Sequence, residues 1–258
     1  MKKTCAVLLA IFFWAWSCTM QVNAQNVTVG KHRFIPGAPP PPPSNLVGQW
    51  LLNEGGTTST ALDSSGNGNS GTWAGSHYTD TTYYFAPGYI LSNEGVFNAV
   101  NNISMSYSSE LNVTGNLTVS MWVQPNANQG VFLSNLSGTG NGYELYDGNG
   151  LYFQTGNAGN YYFTAVGTVI LALHSYVHIC ATYNGTTGTL YMNGTPQAGA
   201  FTQASAIGSS TAALNIGTRP GGSLYISSNV EDVRIYNEVS PTVKSCATLY
   251  ANGPGGAA

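Results

Sequence analysis

The sequence predicts an all-β fold, a sandwich or barrel, with one short C-terminal helix. Three observations carry this reading. Short apolar or alternating runs recur from Leu46 to Tyr236 with turn residues between them, the pattern of many short, evenly spaced strands. Glycine occurs 32 times, much of it in Asn-Gly, Asp-Gly and Gly-Gly pairs, the residues that tight hairpin turns require. Charged residues make up only 7%, against roughly 25% in ordinary soluble domains, so helices with Glu and Lys on their outer faces are not the building material.

Taken in order, Leu46–Leu52 is the first run. Ile103–Tyr107 alternates at period two, and Leu117–Val123 does the same before Gln124-Pro125. Val131–Leu133, Gly142–Tyr146 and Leu151–Gln154 follow, the last two joined across Asp147–Gly150, and then Tyr161–Ala165. Tyr176–Tyr183 and Thr189–Met192 flank Asn184-Gly185, a hairpin signal, and Asn193-Gly194 turns the chain again. Leu214–Gly217, Leu224–Ile226 and Val230–Tyr236 complete the set. The helix spans Ser240–Ala251: Ser240 suits the N-cap, Pro241 the first helical position, and Asn252-Gly253 the stop. Val243, Cys246, Ala247 and Tyr250 would share its inward face. Trp50 and Trp122 lie in strongly patterned strands and are expected in the core.

Residues 1–24 read as a secretory signal: Lys2 and Lys3, an apolar stretch Ala6–Trp16, and Val22-Asn23-Ala24 before Gln25. A minority reading takes Ala15-Trp16-Ser17-Cys18 as a lipobox, with Cys18 as a lipid anchor. The expected location is therefore secreted, extracellular or cell-surface, with no membrane span. Residues 25–45 form a disordered linker whose Pro39–Pro43 run favours polyproline II and spans roughly 15 Å. The domain occupies 46–253 and a tail 254–258. Cys180 and Cys246 remain in the mature chain; they either form a disulfide or are two separately buried thiols.

All ten acidic residues lie from Glu54 onward, where only Arg219, Arg234 and Lys244 are basic, a net charge of −7. No Lys/Arg cluster exists to grip phosphates, which excludes a nucleic-acid partner. Catalytic patterns also fail. Glu144 and Asp147 are three apart, on opposite faces of a strand, whereas a retaining glycosidase needs two carboxylates about 5 Å apart. His174 and His178 would stand about 13 Å apart on a strand. Gly138–Gly142 has no helix behind it to make a phosphate cradle. The seven sequons, from Asn26 to Asn193, arise readily by chance in so Asn- and Thr-rich a chain.

One loop is rich in oxygen ligands. Asp63, Ser65, Asn67 and Asn69 place a side-chain oxygen at every second position, with Gly66 and Gly68 between. Calcium takes six to eight oxygens from such loops, but the same residues also make solvated turns.

The order of motifs resembles the laminin-G-like, concanavalin A-like lectin/glucanase domains of bacterial secreted proteins. The resemblance runs through Trp50–Gly56, Asp63–Thr72, Phe97–Met105, Leu117–Pro125, His178–Gly194, Leu214–Gly217 and Val230–Asn237, and covers Leu46 to about Gly253. Departures are Glu231 where relatives often carry Asp, a long aromatic segment over 74–95, and an extended C-terminal helix. The resemblance implies a two-sheet antiparallel jelly-roll sandwich whose first and last strands are neighbours. Glu54 would then approach Glu231 and Asp232. A structural calcium is expected on Asp63 and one of Glu231 and Asp232, with Asn67 and Asn69 helping, since adjacent strand residues face opposite ways. Solvated edge carboxylates are the alternative.

The implied function is a non-catalytic binding module for a glycan or an extracellular surface protein. Trp73, Tyr78, Tyr83, Tyr84 and Tyr146 are the expected ligand platform, with His77, Tyr143, Tyr152, Tyr161 and Tyr162 as further candidates. A self-associating structural protein is the second reading and a glycoside hydrolase the third.

Overall fold

The computed structural model describes residues 45–54, 59–75, 85–86, 94–164, 169–239 and 245–255. The chain divides into two units, Met1–Pro41 and Pro42–Ala258, and every described residue belongs to the second. The expected signal, the proline run, Tyr78, Tyr83, Tyr84 and the Ser240–Lys244 helix onset lie outside the described residues.

The strands are β1 (Leu46–Trp50), β2 (Thr60–Ala61), β3 (Gly71–Gly75), β4 (Phe85–Ala86), β5 (Glu94–Asn98) and β6 (Asn101–Met105). Then come β7 (Leu117–Pro125), β8 (Gly130–Ser134), β9 (Gly142–Asp147), β10 (Leu151–Asn157), β11 (Asn160–Phe163) and β12 (Val177–Tyr183). The last are β13 (Thr187–Met192), β14 (Thr195–Pro196), β15 (Phe201–Thr202), β16 (Leu214–Ile216) and β17 (Ser227–Tyr236), followed by helix α1 (Cys246–Asn252).

Two antiparallel sheets form the expected sandwich. The first runs β14-β13-β12-β7-β17-β5-β4, with β15 on β13 and β1 on β17. The ten-residue β17 thus serves two neighbours along one edge: Ser227–Val230 pairs with β5, and the second half pairs with β1. The second sheet runs β11-β10-β9-β8-β16-β6-β3-β2. The Asn193-Gly194 turn forms as read, both residues having positive φ (49° and 75°), as a type I′ turn demands.

Period-two alternation builds the core. In β7, Leu117, Val119, Met121 and Val123 point inward, to meet Leu133, Leu145 and Phe153 of the other sheet and the large rings of Trp50, Trp73, Phe97, Tyr143 and Tyr183. Gly48 is needed where it stands, because a Cβ there would sit 2.4 Å from the Trp50 ring.

The outer face of the first sheet is covered as well. Thr118, Ser120 and Trp122 point away from the core yet are buried, Thr118 bonded to Glu238 O, Ser120 to His178 and Trp122 beneath α1. Trp122 is buried, as the strand pattern predicts, but on the outer face of the sheet and outside the main inter-sheet cluster. Its ring lies 5.6 Å from that of Tyr250 on α1. The helix begins later than read: Ser245 is the N-cap, its Oγ accepting from the Thr248 N–H, and Gly253 at φ 70° ends it. With that start, the i/i+3 pair Cys246 and Leu249 is buried, while Ala247 and Tyr250 are exposed. Leu46, Cys180, Tyr236, Cys246 and Leu249 make a second small apolar cluster, and Cys180 is disulfide-bonded to Cys246.

Candidate functional site

The oxygen-rich loop is an edge cover for β1. One edge of β1 pairs with β17; the other would be left with unpaired backbone groups, a liability that proteins usually block. Here the loop satisfies them. Asp63 Oδ1 accepts from the Gln49 N–H at 3.0 Å, and the Ser64 N–H donates to Gln49 O at 2.7 Å. Asn67 Nδ2 donates to Leu46 O at 2.7 Å and Asn69 Nδ2 to Val47 O at 2.8 Å. Trp50 Nε1 in turn donates to Asn69 O.

The six candidate calcium ligands, Glu54, Asp63, Asn67, Asn69, Glu231 and Asp232, do not converge on a cation. Asp63 is filled by N–H donors: besides Gln49, those of Ser65 at 2.8 Å on Oδ1 and Asn69 at 2.8 Å on Oδ2. Asn69 Oδ1 accepts from Ser108 Oγ. Glu54 accepts from the Leu62 N–H, and burial raises its carboxyl pKa. Asp232 is forked by Arg234, Nε to Oδ1 at 2.8 Å and Nη2 to Oδ2 at 2.6 Å, with Gln49 Nε2 and the Gly255 N–H completing its shell. Among the described residues no three His, Cys, Asp or Glu side chains form a metal-holding group. The residues at this edge, as arranged, do not fit a calcium ion.

A β-bulge between Glu231 and Arg234 explains why the alternation argument failed at Asp232. An inserted residue breaks the two-residue period. Asp232 takes φ 49° and turns its carboxylate onto Gln49 and Arg234, which point to the same outer face. Arg234 is buried, which alone would lower its pKa, but the Asp232 hydrogen bonds and charge raise it. Glu231 belongs to another pair. The Val230–Gly95 register sets it opposite Glu94, a residue that motif reading did not single out. Glu94 Oε1 accepts from Asn229 Nδ2, which also reaches Gln124 Oε1. Burial, then the Glu231 charge, push Glu94 up to about 7.

The outer face of the second sheet carries the candidates Tyr146 and Tyr152. Trp73 is not among them: it is fully buried against Phe97, because alternation in β3 turns Thr72 out and Trp73 in. Tyr143 is likewise core, its hydroxyl donating to Leu111 O. Thr72, Ser104, Asn215, Ser134, Glu144, Gln154 and Phe163 stand opposite one another, strand after strand from β3 to β11. This is a polar row across the sheet, ending on an aromatic ring. Beside it Tyr146 and Tyr152 meet edge-on at 4.8 Å, and Tyr152 reaches Phe163 at 6.1 Å.

Arg219 links the row to the rings. Its Nε and Nη2 fork Glu144 at 2.7 and 2.6 Å, and its Cζ lies 5.5 Å over Tyr146. The fork raises the pKa of Arg219 further. Burial, with Tyr146 and Glu144 nearby, pushes Tyr152 up to about 12, so its phenol is neutral. The result is a face on which Arg219, Tyr146 and Tyr152 are half-buried and Phe163 is exposed, over a row whose Asn215, Ser134, Glu144 and Gln154 are buried. Among the described residues, the sequence candidates Tyr146 and Tyr152 sit together here. Arg219 and Glu144 were not legible as a pair, being 75 residues apart.

A family model described as concanavalin A-like lectin/glucanases superfamily matches residues 98–241. The chain belongs to that superfamily. Solved structures agree on the lectin/glucanase sandwich. Domain 4 of AbnA, a GH43 extracellular arabinanase from Geobacillus stearothermophilus, in complex with arabinotriose, matches at 19% identity and TM-score 0.62, over 80% of this chain and 98% of that one. The botulinum neurotoxin serotype G binding domain matches at 16% and 0.57, over 80% and 51%. Trypanosoma rangeli sialidase matches at 16% and 0.54, over 81% and 33%. The chain thus spans about half the toxin domain and a third of the sialidase. No curated protein matches it. No helix among the described residues is long and apolar enough to cross a membrane.

Proposed function

We propose that this superfamily member is a secreted, non-catalytic carbohydrate-binding module that uses the outer face of its second sheet. The observation that carries the reading is Arg219, fixed between Glu144 and the Tyr146 ring, beside Tyr152 and the polar row. Sugars offer apolar ring faces and closely spaced hydroxyls; aromatic rings suit the first and rigid planar donors suit the second. The likeness to an arabinanase domain in complex with arabinotriose supports it. So does the likeness to botulinum neurotoxin type C, whose cell entry depends on two ganglioside molecules. Glu144 is bound in the Arg219 fork, and Asp147 accepts from the Gln129 and Gly150 N–H groups. Calcium has no part in this reading.

A glycan array followed by calorimetry tests it. A hit should weaken roughly tenfold in Tyr152→Ala, the size of one aromatic contact, and in the paired variant Arg219→Ala/Glu144→Gln, which leaves no buried charge alone. No hit on the array, or a hit indifferent to both variants, sinks it.

One observation favours self-association instead. β11 ends the second sheet, and its Tyr161 and Phe163 are each 48% exposed with no charge in the strand to block edge pairing. Concentration-dependent assembly abolished by Tyr161→Lys, without glycan binding, would support that reading.

A further inference from the structure

We propose a second ligand site, on the outer face of the first sheet beside α1, that takes the neutral ring of a sugar. It does not rest on the second-sheet face. A cleft of about 520 Å³ opens there, lined among the described residues by Trp122, Tyr176, Asn193, Tyr250, Ala251 and Asn252, with Gly253 at its end. That volume is in the range of small-molecule sites, roughly 300–1,000 Å³.

The chemistry of the lining selects the ligand. Tyr250 and Trp122 are stacked, 5.6 Å apart and 27° from parallel. Tyr250 is 39% exposed and Trp122 only 8%, so Tyr250 is the accessible ring and Trp122 backs it. The His178 ring packs against both, at 5.3 and 6.0 Å. A flat apolar wall of this kind suits the face of a pyranose. The polar side chains on the lining include the Asn193 and Asn252 carboxamides, which both donate and accept, as ring hydroxyls do. Asn193 is held in place, its Oδ1 accepting from the His178 N–H at 3.0 Å. No described lining residue is charged, so nothing there rewards a sialate, uronate or phosphate.

The cleft is also preorganised, which cuts the cost of binding. Its α1 wall is tied to β12 by the Cys180–Cys246 disulfide. The chain after α1 is tied to β17 by the Gly255 N–H on Asp232 Oδ2 at 2.7 Å. β7 and β12, which supply Trp122 and His178, are central strands of the sheet.

The test is saturation-transfer NMR and calorimetry on the full chain, with methyl β-glucopyranoside, methyl β-galactopyranoside and N-acetylglucosamine as neutral probes and free sialic acid as the anionic one. At least one neutral probe should bind. Tyr250→Ala should weaken it roughly tenfold, the loss of one aromatic contact, while Tyr250→Phe keeps it within about twofold. Ala251→Trp, which fills the cleft from an exposed helix position, should abolish it even if Tyr250→Ala loosens the helix. The same losses should appear in a Tyr152→Ala background, where the second-sheet face contributes no aromatic contact. The proposal is overturned if no neutral probe binds in that background, if sialic acid binds more tightly, or if Ala251→Trp has no effect.

Discussion

Glu94 and Glu231 stand opposite each other on β5 and β17, both buried, with Asn229 and Gln124 beside them. Glu94 is held up to about 7, chiefly by burial and then by the Glu231 charge. Its folded pKa exceeds its unfolded one, so the folded chain holds the extra proton between about pH 4.5 and 7. The stability linked to that proton is complete below about 4.5 and is lost as pH rises through 7. His178 pulls the other way: burial lowers it to about 4, so stability is lost as pH falls from about 6.5 towards 4. The two slopes oppose each other in the wild type. Glu94→Gln should therefore gain on the wild type by on the order of 1–2 kcal/mol between pH 4.5 and 8, and expose a clean loss on acidification. Denaturant melts across that pH range check this; parallel profiles for the two proteins would refute it.

Asp63 serves three N–H groups. Removing the acceptor leaves those donors without it, so Asp63→Ala should cost about 2 kcal/mol, or roughly 4–8 °C in Tm for a domain of this size. Because the carboxylate is satisfied by amides, a chelator should leave the Tm of wild type and variant unchanged. A chelator-induced drop in wild type alone would restore the calcium reading.

The loop at Asp63 also marks the limit of what was legible. Its composition announced many side-chain oxygens, but whether they face a cation or N–H groups depends on the unpaired edge of β1. Asp232 was misjudged because a bulge is a property of two paired strands, not of one. β7 was readable from its own alternation, and β12 and β13 from the Asn184-Gly185 hairpin signal between them. β3 and β5 were not: Gly71-Thr-Trp-Ala-Gly75 and Glu94-Gly-Val-Phe-Asn98 carry glycines and a carboxylate, and only their neighbours make them strands. Arg219 became a site residue only when a turn laid it across β9.

Asp232 and Arg234 form a buried ion pair, 3% and 2% exposed. Breaking such a pair from one side costs about 3–5 kcal/mol, whereas replacing both partners is often near neutral. Asp232→Asn keeps one of the two acceptors, for Gln49 on Oδ1 or Gly255 on Oδ2, and Asn tolerates the positive φ, yet it strips Arg234 of its counter-charge. It should destabilise strongly, and Asp232→Asn/Arg234→Met should recover at least half the loss. Additive single-variant costs in that double-mutant cycle would show that the pair is not coupled.

The Cys180–Cys246 bond closes a loop of 66 residues. Chain entropy for a loop of that length gives about 4 kcal/mol, and measured values more often fall at 2–4. α1 has only seven residues, too short to persist alone, and its buried side chains are just Cys246 and Leu249. Loss of the bond should therefore act first on the helix. Cys246→Ser, or reduction, should raise amide exchange across Cys246–Asn252 and expose Trp122 to quenchers well before the sheets unfold. The β7 and β12 amides should keep their protection until the global transition. Simultaneous loss of protection in α1 and in both strands would show instead that the helix and the sandwich unfold as one unit.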